Sequence, residues 1–111
     1  MEIHDIRDED GRAFAFEVEN TFLGRHGACR VVQRLPRARV VRSQGRFAWS
    51  NRDDFCEFVL DGVTFVVEEP FGDNSRYWIG PMPPRYVPQI ATVRDAFARA
   101  GFRGWFGRNA G

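Results

Sequence analysis

The sequence has no lysine, only two cysteines and no long apolar run, and each shortage excludes a class of protein. Cys29 and Cys56 are too few for a disulfide framework, and because each falls within an apolar pattern we predict that both are reduced core residues. No run approaches the roughly 20 apolar residues of a membrane helix. The acidic start "MEIHDIRDEDGR" is unlike a signal peptide, which is basic and then apolar. We therefore expect a cytoplasmic protein with no membrane partner.

What is present is enough for one hydrophobic core. Hydrophobic residues make up 43% of the 111 residues, and eleven of them are phenylalanine. This composition excludes disorder and low complexity. All sixteen basic residues are arginine, which is typical of a GC-rich bacterial genome. We predict a single domain over residues 1–111, of which 101–111 are a candidate C-terminal tail.

Alternating apolar residues identify the strands. The clearest stretch is "DFCEFVLDGVTFVVEE", where Asp-Gly at 61–62 is a strong hairpin signal between two runs of β-formers. A two-residue turn sets Phe58 opposite Phe65 and Cys56 opposite Val67, with all four on one apolar face. We predict further strands at "EIHDIR", "AFAFEVE", "ARVVRS" and "SRYWIG", and a short one at "RFAW".

Two segments change to a helical period of apolar residues. The first predicted helix spans residues 22–35 and ends before Pro36, and the second spans residues 88–100 and is closed by Gly101. Their apolar stripes are Ala28, Val31, Val32 and Leu35 in the first helix, and Ile90, Val93, Phe97 and Ala100 in the second. Hairpins combined with two helices predict an α+β fold, with an antiparallel β-sheet and both helices packed on one face in a two-layer sandwich.

Charge is segregated along the chain, although the net charge is only +1. Residues 1–20 sum to −5, residues 21–52 to +8, residues 53–75 to −7 and residues 76–111 to +5. Such blocks usually mean that neighbouring strands pair acidic against basic side chains, which is the interpretation we prefer. The alternative is two opposed surface patches that steer a charged partner.

The stretch "EEPFGDNSRYWIGP" concentrates acids, turn residues, an arginine and two large aromatics. Glu68, Glu69 and Asp73 are of the type that binds a cation or acts as acid and base. The simpler interpretation is a self-capped turn, in which Asp73 caps the backbone and Arg76 pairs with Glu68 or Glu69. Tyr, Trp and Arg beside a turn are also the composition of an interface hot spot.

Known catalytic motifs are absent from the sequence. It has no phosphate-cradling glycine loop with lysine, no dinucleotide fingerprint and no paired Cys or His at metal-ligand spacing. The only near-neutral bases are His4 and His26, and nothing places either beside a nucleophile. We therefore expect no catalysis, no metal and no cofactor. A small enzyme using the carboxylates near Glu68 to Asp73 is the third interpretation.

The second interpretation is a nucleic-acid-binding domain. It would use the basic block from Arg25 to Arg52, with Phe47 and Trp49 as stacking platforms. Its candidate contacts are Arg25, Arg30, Arg34, Arg37, Arg39 and Arg42. A pI of about 7.9, the missing lysine and an acidic block of similar size argue against nucleic acid as the partner.

In size, α+β layout, lack of catalytic motif and the aromatic-rich stretch at 68–81, the chain resembles the small immunity proteins that neutralise bacterial toxins, including those of contact-dependent inhibition systems. The resemblance implies one-to-one binding of a cognate toxin, often a nuclease, by covering its active site or an adjacent surface. An acidic block would then oppose a basic nuclease cleft, with Arg76, Tyr77 and Trp78 as anchors. The acidic residues are Asp53, Asp54, Glu57, Glu68, Glu69 and Asp73.

Overall fold

Six strands and two helices make up the part of the chain that the structure describes. The computed structural model describes residues 3–19, 24–43, 54–68 and 76–110, and at 24–26, 42–43, 54–55 and 101–110 it describes the backbone alone. The elements are β1 (Ile3–Arg7), β2 (Ala13–Glu19), α1 (Gly24–Gln33), β3 (Ala38–Ser43), β4 (Asp54–Leu60), β5 (Val63–Glu68), β6 (Arg76–Pro81) and α2 (Ile90–Ala110). The predicted short strand at "RFAW" lies outside the described residues.

The strands form one sheet in the order β1-β2-β6-β5-β4-β3, and every neighbouring pair is antiparallel. Both helices pack on the same face. Phe97 of α2 meets Phe16 of β2 edge to face, with ring centroids 5.7 Å apart, and Cys29 of α1 is bonded to Cys56 of β4. Register puts Cys56 and Phe16 in one cross-strand row, through Val67 and β6. The predicted α+β sandwich is confirmed.

The two faces of the sheet are named for what covers them: the helix face packs on α1 and α2, and the open face is the other one. The core lies between the helices and the helix face, where Phe16, Phe58, Phe65 and Tyr77 are fully buried. Phe58 and Phe65 are directly opposite, as predicted, and their rings stack with centroids 5.3 Å apart. Burial of these rings supplies much of the stabilising free energy of a domain this size.

The β4–β5 hairpin follows from local chemistry. Asp61 and Gly62 both have positive φ, 51° and 77°, as a two-residue hairpin turn of the primed type requires. Leu60 therefore lies opposite Val63, and the rest of the predicted register follows. The β1–β2 turn likewise uses Gly11 at φ 80°, a left-handed conformation that costs glycine little.

Helix α1 ends at Gln33, two residues before the predicted end, and its cysteine is not the reduced residue that we expected. Ala28 and Val32 of the predicted stripe are buried, and Val31 and Leu35 pack partly against the core. Cys29 and Cys56 form a disulfide, so the prediction that both are reduced is wrong. Each cysteine does occupy an apolar position, but the sequence could not show that α1 crosses β4 at that point, where the Cα atoms are 6.0 Å apart.

Helix α2 runs beyond the glycine predicted to end it. The backbone is helical through Gly101 to Ala110, so that prediction is wrong and the segment proposed as a tail continues the helix. A glycine inside a helix costs only about 1 kcal/mol relative to alanine, and it stops a helix only where the chain turns left-handed there. In the part of the chain that the structure describes, neither helix combines the length and apolarity needed to cross a membrane.

Candidate protein-binding face of the sheet

One row of cross-strand neighbours spans the open face and collects residues that are distant in sequence. Asp54 of β4 lies opposite Glu68 of β5, and Glu68 lies opposite Trp78 of β6. Trp78 in turn lies opposite Glu17 of β2, which is opposite His4 of β1. Side chains at directly opposed positions are about 5 Å apart at their Cβ atoms. The row therefore places a tryptophan between two glutamates in the middle of the sheet.

Trp78 lies against the sheet because Gly80 leaves room for it. A Cβ added at Gly80 would be 2.6 Å from Cη2 of the Trp78 indole and 2.8 Å from Cβ of Ala15. Ala15 and Val66 are only 1% and 2% exposed, although both lie on the open face. The alternation of the β4–β5 hairpin would leave its second face largely solvated, but Val66 is buried on that face. Packing against Gly80 and Ala15 fixes the orientation of the indole, and its exposed part therefore has a defined position on the open face.

Replacing Gly80 by alanine is expected to lower the free energy of unfolding by about 1–3 kcal/mol, because the new methyl group overpacks the contact between Trp78 and Ala15. Equilibrium urea unfolding measures the change. In an Ala15→Gly background the same substitution should cost less, since one of the two close contacts is then removed. Equal costs in both backgrounds would contradict this packing.

The second row of the open face carries Glu57. It lies opposite Val66 of β5 on one side and opposite Arg42 of β3 on the other. Val59 and Arg39 are opposite each other at the next pair of open-face positions. The register therefore sets an acidic residue opposite a basic one where β3 joins β4, as the interpretation of paired charge blocks predicts.

Ion pairs between the blocks support the same interpretation elsewhere in the fold. Arg76 of β6 reaches Oε1 of Glu17 at 3.3 Å, a partner that the sequence did not indicate. Arg37, in the turn before β3, lies 3.4 Å from Asp61 of the hairpin. Arg94 of α2 donates two hydrogen bonds to Asp5 of β1, at 2.7 and 3.2 Å. The first acidic block thus pairs with the last basic block, and the first basic block with the second acidic block.

The predicted anchors divide between the two faces. Trp78 and Arg76 lie on the open face, but Tyr77 points into the core and is 0% exposed. Tyr77 is therefore excluded as a contact residue in the folded protein, and its prediction as an anchor is wrong. The alternation of β-strand side chains requires Tyr77 and Trp78 to be on opposite faces, and β6 is central, so one of them had to be in the core.

The predicted acidic residues are brought together in part. Glu57 and Glu68 are half-buried on the open face, and the register places Asp54 beside Glu68. Asp53, Glu69 and Asp73 lie outside the described residues.

Three further residues of the open face were not identified from the sequence. Glu17 and Glu19 of β2 lie next to β6, and His4 lies 3.7 Å from Glu19. The signal was present in "AFAFEVE", since alternation puts both glutamates on the face opposite Phe16 and Val18. What was missing was the pairing of β2 with β6, because turn chemistry reports only on strands adjacent in sequence.

The arginine block of the nucleic-acid interpretation is spread over two sides of the molecule. Arg30 and Arg34 are exposed on the outer side of α1, whereas Arg39 lies on the open face of the sheet. Arg25 and Arg42 are described only in their backbone, and Phe47 and Trp49 lie outside the described residues. The described arginines therefore do not form one continuous basic surface.

Of the carboxylates proposed for an enzyme, Glu68 is the one that the structure describes. Within residues 3–19, 24–43, 54–68 and 76–110, no group of three His, Cys, Asp or Glu side chains is arranged to hold a metal ion.

Comparison with known proteins adds no assignment. No family model, curated protein or solved structure matches the chain. Function is therefore argued from the geometry of the open face.

Proposed function

We propose that the open face binds another protein through Trp78, and that the partner is a bacterial toxin that the chain neutralises, as an immunity protein does. The observation that carries the proposal is the position of Trp78. It lies in the middle of the sheet, is partly exposed, and is supported by Gly80 and Ala15. An aromatic side chain on a rigid support loses little conformational entropy on binding.

The surroundings of Trp78 have the composition of an interface centre. Arg76 lies on the same face, and 38% of its side chain is exposed. Tryptophan and arginine are the residues that most often dominate binding free energy at interfaces. The six-stranded sheet also presents a broad face, a shape that fits a protein surface better than a small molecule.

Charge on this face favours a basic partner. Glu17, Glu19, Glu57 and Glu68 lie around Trp78 on three strands, and Arg76 and His4 lie near the two on β2. Carboxylates at the rim of an interface mainly increase the association rate and set which partners are accepted. A basic toxin, such as one that cleaves nucleic acid, is the kind of partner that this face would attract.

The test is affinity capture from a lysate of the source bacterium, followed by measurement of the captured protein against matched variants. We expect a one-to-one complex that survives moderate salt. Trp78→Ala is expected to weaken it by about 2 kcal/mol or more, as truncation of a central anchor does. Glu68→Arg should mainly slow association, and slow it less at high salt, because it reverses a steering charge.

Asp95→Arg is the matched control for Glu68→Arg. It makes the same charge change on an exposed residue of α2, 58% of whose side chain is accessible, away from the open face. The control should bind as the wild type does. Equal loss in both variants would mean that net charge alone decides binding, and capture of nucleic acid that washes off with salt would favour the arginine block. The purified complex must also suppress the partner's toxicity, otherwise the immunity role is wrong.

We further propose the cytoplasm as the place where the protein acts. The Cys29–Cys56 disulfide bears directly on this point, because disulfides are rare in reducing compartments. The redox state of the two cysteines in cells is therefore a test of the location, and it is taken up in the Discussion.

A further inference from the structure

A cavity of about 410 Å³ opens beside the N-terminal part of α2. It lies between the end of the β1–β2 hairpin, the segment that follows β6, and the first turns of α2. Its volume is within the range of roughly 300–1,000 Å³ that small-molecule sites occupy. Nothing in the protein-binding proposal uses this cavity.

The floor of the cavity is apolar and made mainly of small residues. Ala13 and Ala15 of β2 line it from the sheet, Ile90 and Ala91 of α2 line it from the helix, and Phe16 lies between them. Ala13 and Ala91 have small side chains, so they leave space beside Phe16 and Ile90. A flat apolar group would find contact on both walls here.

Arg7 and Arg12 lie at the rim of the cavity, and both have N–H groups that can donate to a ligand. The Arg7 guanidinium donates to the carbonyl of Gly11 at 2.8 Å, and no carboxylate among the described residues is within ion-pair distance of it. Arg12 lies 3.6 Å from Asp8 and 3.5 Å from Asp10, but 55% of its side chain is exposed. Ion pairs of this length and exposure contribute little, so Arg12 can turn to an anion at small cost.

The third arginine of the cavity is already neutralised and has a structural role. Arg94 and Asp5 form a two-point pair that ties α2 to β1 across one side of the cavity. This pair also uses the single carboxylate in the lining. The charge facing a ligand is therefore that of Arg7 and Arg12.

The turn between β1 and β2 holds this arrangement in place. Oδ1 of Asp8 accepts hydrogen bonds from the backbone N–H groups of Asp10 and Arg12, at 3.0 and 2.9 Å. The backbone of Asp8 bonds to both Gly11 and Arg12. Arg12 projects from this turn over the ring of Tyr86, with the guanidinium carbon 4.7 Å from the ring centroid. Tyr86 is 38% exposed, so a ligand can reach both groups.

We propose that this cavity binds a small aromatic carboxylate. The aromatic body would lie on the alanine floor beside Tyr86, and the carboxylate would accept hydrogen bonds from Arg7 and Arg12. Guanidinium groups recognise carboxylates because their planar donors match the two oxygens. An apolar cleft with a few convergent polar groups is the usual form of a small-molecule site.

The probe is 2-naphthoate, titrated into the isotope-labelled protein and followed by the amide signals of Gly11, Ala13, Tyr86 and Ala91. We expect saturable shifts at these amides with a Kd of about 1 mM or tighter, as suits a ligand of this size. The neutral analogue 2-naphthamide should bind about tenfold more weakly, because it lacks the charge that both arginines would meet. No saturable shift at these amides, or equal binding of the amide, would overturn the proposal.

Variants distinguish specific binding in this cavity from a general attraction of anions to basic side chains on the surface. Arg7→Gln and Arg12→Gln should each weaken 2-naphthoate binding about tenfold. Arg85→Gln is the matched control, since Arg85 is exposed, donates to the carbonyl of Pro83 at 2.7 Å and does not line the cavity. Ala91→Leu keeps all the charges and should abolish binding by filling the cavity. Equal loss in Arg85→Gln, or full binding by Ala91→Leu, would overturn the site.

Discussion

Loss of the Cys29–Cys56 disulfide is expected to lower the free energy of unfolding by about 3.5 kcal/mol, because the crosslink restricts the unfolded chain over a long loop. The two cysteines are 27 residues apart in sequence. Helix α1 has ten residues and a narrow apolar stripe, so on its own it would be only marginally helical. The bond fixes it to the sheet at β4. Urea unfolding of the oxidised and the reduced protein measures the difference.

A Cys29→Ala/Cys56→Ala variant is the control for this experiment. It should unfold near the reduced wild type and should not respond to reductant. Cys56 is fully buried and Cys29 nearly so, so a further small loss from the missing sulfur atoms is expected in the variant. Identical urea midpoints for oxidised and reduced wild type would show that the crosslink contributes nothing to stability.

Trapping of free thiols in living cells tests where the protein acts, because the redox state of a cysteine pair depends on the compartment. Alkylation before lysis preserves the redox state of Cys29 and Cys56, and the mass of the protein then reports it. A protein recovered as the dithiol would agree with a cytoplasmic site of action, whereas a protein recovered fully oxidised would contradict it. Either result also fixes which stability applies in the cell.

The parts of the fold that could be predicted are those that neighbouring residues decide. The Asp-Gly turn at 61–62 sets the register of β4 and β5, and the apolar alternation of both strands agrees with it. The stripe of α1 and the stop near Pro36 are equally local. In each case turn chemistry and periodicity favour the same structure, and the tertiary contacts agree with these local preferences.

The parts that could not be predicted depend on contacts between distant segments. Strand β6 inserts between β2 and β5, and this pairing brings Glu17 beside Trp78 and gives Arg76 its partner. No turn signal marks such a pairing. The disulfide has the same origin, because the crossing of α1 over β4 decides whether two buried cysteines meet.

Tyr77 and Trp78 give the sharpest test of the two-face arrangement, because they are adjacent and both aromatic. Tyr77→Ala is expected to lower the free energy of unfolding by about 3–5 kcal/mol, since it empties a fully buried site in the core. Trp78→Ala should cost only about 1–2 kcal/mol, because the indole is only half-buried. Urea unfolding of the oxidised protein gives both values under the same conditions.

The losses of unfolding free energy in Tyr77→Ala and Trp78→Ala, compared with each other, show which residue can serve as an anchor for a partner. A residue that contributes mainly to folding is buried and leaves little exposed surface for a partner. A residue whose replacement by alanine costs little stability still has exposed surface to bury on binding. If Trp78→Ala were the more damaging change, the indole would belong to the core and the open face would lack its centre. If instead Tyr77→Ala unfolds the protein and Trp78→Ala leaves it folded but unable to hold its partner, stability and recognition are divided between the two faces of β6.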